Sequence, residues 1–502
     1  MADPAAPGTP TAAQAAASSA AHCAAPSNPL DAWPAGPLLA YCGDDFTGST
    51  DVMEAFTAAG VATVLFLSPP AVHWVQRFAH YRCIGLASTA RGQSPMWMDE
   101  HLPAALQRLK AFGAPILQYK VCSTFDSSPT HGSIGRALEL GTALMPGRWS
   151  PMVVGAPRLQ RYQAFGNLFA VVGGVGHRLD RHPTMRRHPV TPMAEADLRR
   201  HLAAQTPRRS ELIHLAHLKD HLQAGQGSPG SGSSTSSSTT TTDARRDALM
   251  GDDVPVVLLD VVDETTLAEV GRLVWRGRGD GLFSASSSGL QYALAAHWRS
   301  LGLLPAQPSL PLADAVHAIA VLSGSCSPVT AGQIAWARNN GFAVHRLDIA
   351  RVLHTTTVDA EITRLVAAAA AALHAGRSPL VYSAEGPDDS AVIGFDALAC
   401  AAGLQRSAAA TQVGLALAAL MRRLLTQVPA LRRVVVAGGD SAGAVASALG
   451  IAALSIEAGL APGAPLCRAW SELPARDGLQ LVLKGGQMGA ADFFGAVRRG
   501  RV

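Results

Sequence analysis

Residues 38–54 read LLAYCGDDFTGSTDVME, and this stretch decides the fold. Leu38 to Tyr41 predicts a short buried strand, and Gly43 and Gly48 permit a tight turn. Ser49 or Thr50 is suited to cap a helix that runs to a terminating glycine at Gly60. A second apolar run, Val61 to Leu67, follows at once. This is the opening of a βαβ unit, and in open α/β sheets ligands sit beyond the carboxyl ends of the strands. Asp44 and Asp45 fall at that edge, where two adjacent carboxylates can do chemistry. Asp is also a common turn former through bonds to its own backbone, so position alone leaves both roles open.

Working outward, 502 residues with 48% hydrophobic content exceed one ordinary core and predict two domains. A net charge of +4, from 41 basic and 37 acidic residues, argues against nucleic acid and against a polybasic membrane surface. Seven scattered cysteines without a CxxC pair or zinc spacing suit a reducing cytoplasm, and no metal site is expected. Residues 1–36 are Ala/Pro-rich without the basic and apolar regions of a signal peptide, so they read as a disordered tail. No stretch approaches the roughly 20 apolar residues of a membrane span. A Gly/Ser/Thr tract at 225–243 reads as a flexible insertion, because strand Val256 to Val261 and helix Glu264 to Trp275 resume the earlier rhythm beyond it. The Pro-punctuated stretch 304–312 is the better boundary, giving a first domain at 37–303 and a second at 313–502. Strands alternating with helices in both halves predict two α/β domains with largely parallel sheets.

Three Gly/Ser turns in the second half each follow an apolar strand: SGSCSPVT (323–330), GGDSAGA (438–444) and LKGGQMG (483–489). Glycines let backbone N–H groups approach an anion, and a helix N-terminus adds its positive end, so Ser323, Ser325, Gly438, Gly439, Asp440, Ser441, Gly443, Gly485 and Gly486 are candidate nucleotide contacts. Gly439 to Gly443 also satisfies the GxSxG of a serine hydrolase, but that fold needs a histidine after the nucleophile, and the last one here is His374. There is no GxxxxGK[ST] and no GxGxxG opening a βαβ unit. In the first half, Arg91 and Lys120 follow strands Cys83 to Ala87 and Ile116 to Tyr119. Cations there, opposite Asp44 and Asp45, suit a polyhydroxy acid: cations for its carboxylate, carboxylates for its hydroxyls. Only four of the 41 basic residues are lysines, and Lys120 and Lys484 both lie in these motifs.

Six ordered motifs, GDDFTGSTD (43–51), YKVCSTFDS (119–127), RHPVTPM (187–193), SGSCSPVTAGQI (323–334), GGDSAGA (438–444) and LKGGQMGAADFF (483–494), resemble the four-carbon acid sugar kinase family over residues 37–500. The tail and the Ser/Thr tract look peculiar to this chain, and Ala442 stands where many members carry Ser. The resemblance implies a sugar-acid domain followed by an ATP domain, with the active site in the cleft between them. It implies an ATP-dependent kinase acting on a hydroxyl of a threonate, erythronate, 3-oxo-tetronate or 3-oxo-isoapionate. Asp45, with Asp44 second, is the expected orienting or proton-accepting group. Ser123 and His188 join Arg91 and Lys120 as expected acid-binding residues, and Mg²⁺ is expected with ATP, held mainly by its phosphates. A non-catalytic sensor on the same folds, and the serine hydrolase, are the rival readings. A homodimer is left open.

Overall fold

The computed structural model of the protein describes residues 28–187, 190–224, 241–251, 253–307 and 309–501. The first apolar runs form β1 (Leu39–Gly43), β2 (Thr63–Phe66), β3 (Cys83–Leu86) and β4 (Ile116–Lys120). Two smaller sheets follow. One is parallel, of β5 (Ser150–Met152), β9 (Ser210–Ile213) and β10 (Val256–Leu259); the other is antiparallel, of β6 (Arg161–Ala164), β7 (Asn167–Val172) and β8 (Val175–Arg178). β11 (Leu282–Ser286) then pairs parallel with β4. The second half supplies β12 (Ala320–Ser323), β13 (Ala343–Arg346), β14 (Pro379–Tyr382) and β15 (Arg433–Ala437). An antiparallel hairpin of β16 (Ile451–Ala461) and β17 (Ala464–Ser471) precedes β18 (Gln480–Lys484).

These halves share one twelve-stranded sheet, in the order β11-β4-β1-β3-β2-β16-β17-β18-β15-β12-β14-β13. Within this sheet the five first-half strands are mutually parallel, and so are β18, β15, β12, β14 and β13 of the second half, as their crossover helices require. Between the halves lie three antiparallel pairings, β2 with β16, β16 with β17 and β17 with β18. The hairpin, like β5 to β9 and β11, is not among the strands expected from the residue pattern. Its register shifts between Ile451 and Ala453, Ile456 and Ala458, and Ala458 and Ala461, and these irregularities break the two-residue rhythm that marks a strand.

Alternation along the strands then decides what is shared. Leu39, Tyr41, Val434 and Val436 enter one apolar cluster together with Phe46, Val52, Phe56, Ala442 and Val445. On the opposite face the clusters are separate, with Ala40, Cys42 and Leu102 in the first half and Val435, Val482 and Phe494 in the second. The two halves therefore pack mainly through one common face, with Ala453 and Trp470 of the second half also joining the first half's cluster on the other, where the Trp470 and Phe78 rings are 5.3 Å apart.

Helix Phe46–Ala59 carries that packing. It starts earlier than a Ser49 or Thr50 cap implies, because Asp45 is the cap: its Oδ1 accepts from the Gly48 N–H at 2.7 Å. It ends at Gly60, whose φ of +97° is the left-handed turn only glycine adopts freely. The helix lies against β16, β17 and helix Gly439–Ala448. A Cβ on Gly443 would fall 2.9 Å from the Phe46 ring, so the missing side chain makes room for it. At the next turns Glu54 Oε2 accepts from the Gly463 N–H, 2.7 Å away at the tip of the β16–β17 hairpin.

Three boundaries differ from the sequence reading. Residues 28–36 are not part of a disordered tail. Pro29–Asp31 is a short 3-10 helix, and buried Asp31 accepts from Arg276 Nε (2.9 Å) and Nη2 (2.7 Å), with His297 Nε2 3.1 Å away. The Ser/Thr insertion ends early, since Thr241–Leu249 is helical and Asp243 pairs with Arg272 at 2.8 Å; residues 225–240 lie outside the described ones. The 304–312 stretch is not a free spacer. Ser309 donates to Ala58 O in the first half, and Pro311 O accepts from Gly459 in the second.

Burial raises the Glu54 carboxyl to about 8, Asp51 adding to the rise and the Gly463 N–H and Arg158 opposing it. A carboxyl raised in the folded state binds more protons there than in the unfolded chain, so its contribution is complete below about pH 4.5 and is lost as pH climbs through about 8. Glu54→Gln keeps an acceptor for Gly463 without a charge. Melting curves should show a shallower decline for this variant than for wild type between pH 5 and 8.5; parallel curves would contradict the assignment.

Candidate functional site

The motif residues of the first half emerge at one level of the sheet. Gly43 pairs with Lys120 and Cys42 with Leu86, so the 44–49 turn, the 88–92 turn and the 121–127 turn leave adjacent strand ends. Gly43 is required here, because a Cβ on it would lie 1.8 Å from Ser49 Oγ. Arg91 joins the first two turns. Its Nε and Nη2 donate to Asp44 Oδ2 (3.0 Å) and Oδ1 (2.8 Å), and its Nη1 donates to Asp45 Oδ2 at 2.7 Å. Asp45 Oδ2 also accepts from Thr47 Oγ1 at 2.8 Å. Burial pushes the Asp44 carboxyl above its ordinary value, against the pull of Arg91. Burial pulls Arg91 down in turn, yet the two carboxylates hold it well above its ordinary value. The bidentate guanidinium opposes the rise at Asp44 by favouring the ionised carboxylate.

Arg91 is thus where the sequence reading puts it, with three donors committed to the chain's own carboxylates. Lys120 is also at the expected edge, but it is buried, with Nζ 3.7 Å from Asp51 Oδ2. Asp51, which the sequence reading passes over, keeps Oδ1 buried without a hydrogen-bond partner. A Cβ on Gly48 would lie 2.5 Å from Asp45 Oδ1, 3.1 Å from Lys120 Nζ and 3.4 Å from Arg91 Nη2, so these groups surround one glycine. Ser123 is half-buried in the turn after β4. His188 lies outside the described residues.

The second half repeats the arrangement. Ser323 pairs with Ala437 and Ala437 with Lys484, so the three Gly/Ser turns leave three adjacent strands together. They touch. A Cβ on Gly324 would fall 1.9 Å from Ser441 Oγ, one on Gly486 2.6 Å from Ser325 Oγ, and one on Gly438 3.2 Å from Ser325 N. Gly438 has φ +111° and caps helix Gly439–Ala448 without a side chain. Asp440 is the second residue of that helix. Ser323, Ser325 and Ser327 accept through Oγ from the N–H two residues on, at 3.4, 3.2 and 3.2 Å, which fixes the 323–327 turn and leaves their hydroxyl protons to donate. Gly485 and Gly486 follow β18, and Thr330 Oγ1 donates to Gly486 O at 2.9 Å. An uncapped helix N-terminus beside two glycine-rich turns fits a polyphosphate.

The two sets of turns meet across the seam. A Cβ on Gly439 would stand 3.7 Å from Asp45 Oδ2 and 3.9 Å from Thr47 Oγ1. The N-termini of helices Phe46–Ala59 and Gly439–Ala448 therefore face one gap, where their positive ends favour a shared anion.

Lys484 is fully buried, with Nζ 3.1 Å from Thr330 Oγ1. Burial pulls its ammonium down to about 7. Between about pH 7 and 10.5 the unfolded chain holds the proton that the folded chain has lost, so the cost of burying the charge falls and stability rises across this window. Lys484→Met removes the charge. Its melting temperature should exceed that of wild type most at pH 7 and below, and the difference should shrink toward pH 10. An equal difference at every pH would show that the lysine does not titrate there.

Comparison with known proteins agrees with this geometry. Residues 39–294 match the family model of a sugar-binding N-terminal domain, and residues 320–494 match that of a nucleotide-binding C-terminal domain. The 3-oxo-isoapionate kinase of Paraburkholderia graminis is 64% identical over 94% of this chain and 96% of its own length. A 3-oxo-tetronate kinase of Cupriavidus necator is 31% identical over 91% of this chain and 96% of its own. A solved Salmonella typhimurium structure superposes with a TM-score of 0.71 at 25% identity, covering 92% of this chain and 98% of its own. With both domains matched in order, this chain belongs to the four-carbon acid sugar kinase family and is an ATP-dependent sugar-acid kinase.

Proposed function

We propose that the acid this kinase phosphorylates is 3-oxo-isoapionate, on a hydroxyl held at Asp45, with the first domain binding the acid and the second binding ATP. The substrate choice rests on 64% identity to an enzyme of that name, against 31% for one named for 3-oxo-tetronate. The division of labour rests on one observation, the approach of Gly439 to Asp45 across the seam.

ATP supplies the phosphoryl group, and transfer between oxygens asks the protein mainly for positioning and charge neutralisation. The residues suited to hold its phosphates are the Ser323 and Ser325 hydroxyls, the amides of the 438–443 turn with Ser441, and the Gly485–Gly486 backbone. Mg²⁺ would arrive with the phosphates. Asp45 Oδ1 and Oδ2 already accept three hydrogen bonds, from Gly48, Thr47 and Arg91. A carboxylate so occupied orients the acceptor hydroxyl better than it strips its proton, and Asp44 behind it holds Arg91 in place. The six free cysteines among the described residues accord with action in a reducing cytoplasm.

ADP release tests the reading with 3-oxo-isoapionate, 3-oxo-tetronate, threonate and erythronate. The highest kcat/KM should belong to 3-oxo-isoapionate; no release with any acid, or a tenfold preference for 3-oxo-tetronate, would overturn it. Asp45→Asn should lower kcat by about 10² or more while an ATP analogue still binds. Gly438→Ala should do the reverse, weakening the analogue first, because the left-handed conformation resists a side chain.

A further inference from the structure

Arg91 has little left to offer an acid, so the first domain needs another cation for the substrate carboxylate. Arg161 is that cation by position and by bonding. It opens β6 and is tied by its backbone to Ala156, with Ala156 N donating to Arg161 O (2.9 Å) and Arg161 N to Ala156 O (3.1 Å). Ala156 lies just beyond β5, whose continuation Val153 is bonded to Ser287 past the end of β11, so Arg161 stands at the same strand edge as Lys120. Its Nη1 donates only to backbone, to Leu159 O (3.1 Å) and Gln160 O (3.2 Å). Its Nε is buried with no hydrogen-bond partner, and it makes no ion pair among the described residues.

A second orphan lies in the turn that follows β4. Asp126 is more than nine-tenths buried, and its Oδ1 also lacks a hydrogen-bond partner. Burial pulls Arg161 below its ordinary value, while Cys122 and Asp126 push it back. Cys122 in turn is pushed up to about 11 by burial and by Asp126, and it also feels Arg91 and Asp44. Arg161 thus feels Asp126, and the 121–127 turn that holds Asp126 leaves the strand edge at which Arg161 stands. His182 feels Arg161 as well, and its Nδ1 accepts from the Thr184 and Met185 N–H groups, both at 3.2 Å, so the ring adds no positive charge.

A part-buried guanidinium with a buried Nε and no anion, and a buried carboxylate oxygen without a donor, are each costly. A hydroxy acid cancels both, since its carboxylate takes the arginine and its adjacent hydroxyl donates to the aspartate. We propose that Arg161 receives the carboxylate of the sugar acid and that Asp126 Oδ1 accepts from the neighbouring hydroxyl, leaving the Asp45 end for the hydroxyl that is phosphorylated. This rests on the kinase reading above and adds the orientation of the acid within the site.

ADP release from 3-oxo-isoapionate and from its carboxamide, for wild type, Arg161→Gln and Arg161→Lys, tests it. Arg161→Gln should raise KM for the acid about 10- to 100-fold, the scale of a lost charge-assisted hydrogen bond, with KM for ATP within twofold of wild type. Arg161→Lys should recover part of the loss, and the preference for acid over carboxamide should vanish in the Gln variant. A wild-type KM for the acid in Arg161→Gln, or an undiminished preference over the carboxamide, would overturn the proposal. Wild type releasing no ADP with any acid is a separate result and refutes the kinase reading itself. Phenylglyoxal labelling of wild type is independent of variant folding: 3-oxo-isoapionate should protect Arg161, and equal labelling with and without the acid would also overturn the proposal.

Discussion

The guanidinium of Arg91 is the constraint on which the site depends. Two carboxylates side by side in a buried turn repel one another, and each unpaired buried charge costs several kcal/mol. Arg91 resolves both problems with two bonds to Asp44 and one to Asp45. Asp45, held by one oxygen, spends the other on the first turn of helix Phe46–Ala59. The ion pair thereby fixes where that helix begins and which way its positive end points.

What the helix does next explains why the halves meet. Phe46 fills the space left by Gly443, Glu54 holds the tip of the β16–β17 hairpin, and one apolar cluster runs beneath both halves. Burying one Phe is worth about 1.5–3 kcal/mol, so the seam is made of ordinary packing. Its consequence is functional: the turn that holds Asp45 and the turn that holds Gly439 become neighbours, although almost 400 residues separate them.

Much of this was legible in the residues. Apart from β11, the strands of both parallel sets fall on the apolar runs, Gly60 ends its helix, and the three Gly/Ser turns converge as their shared chemistry implies. The hairpin was not legible, because its bulges erase the alternation by which a strand is known. The helix cap was misplaced by four or five residues, since DDFTGST offers several capping side chains and only tertiary contacts choose among them. Arg91 and Lys120 were placed at the right edge, but sequence cannot show that their charges are already met by Asp44, Asp45 and Asp51. Arg161 carries no motif. It stands out only when burial and missing partners are seen together.

The central claim is that the acceptor hydroxyl and the phosphates meet in the gap between Asp45 and Gly439. A crystal structure with a non-hydrolysable ATP analogue and 3-oxo-isoapionate tests it most directly. The account predicts the terminal phosphate on the 438–443 turn, with an acid hydroxyl within about 3–3.5 Å of it beside Asp45, the spacing of a near-attack arrangement. A nucleotide bound on the Asp44–Arg91 side, or an acid bound in the second domain, would contradict it.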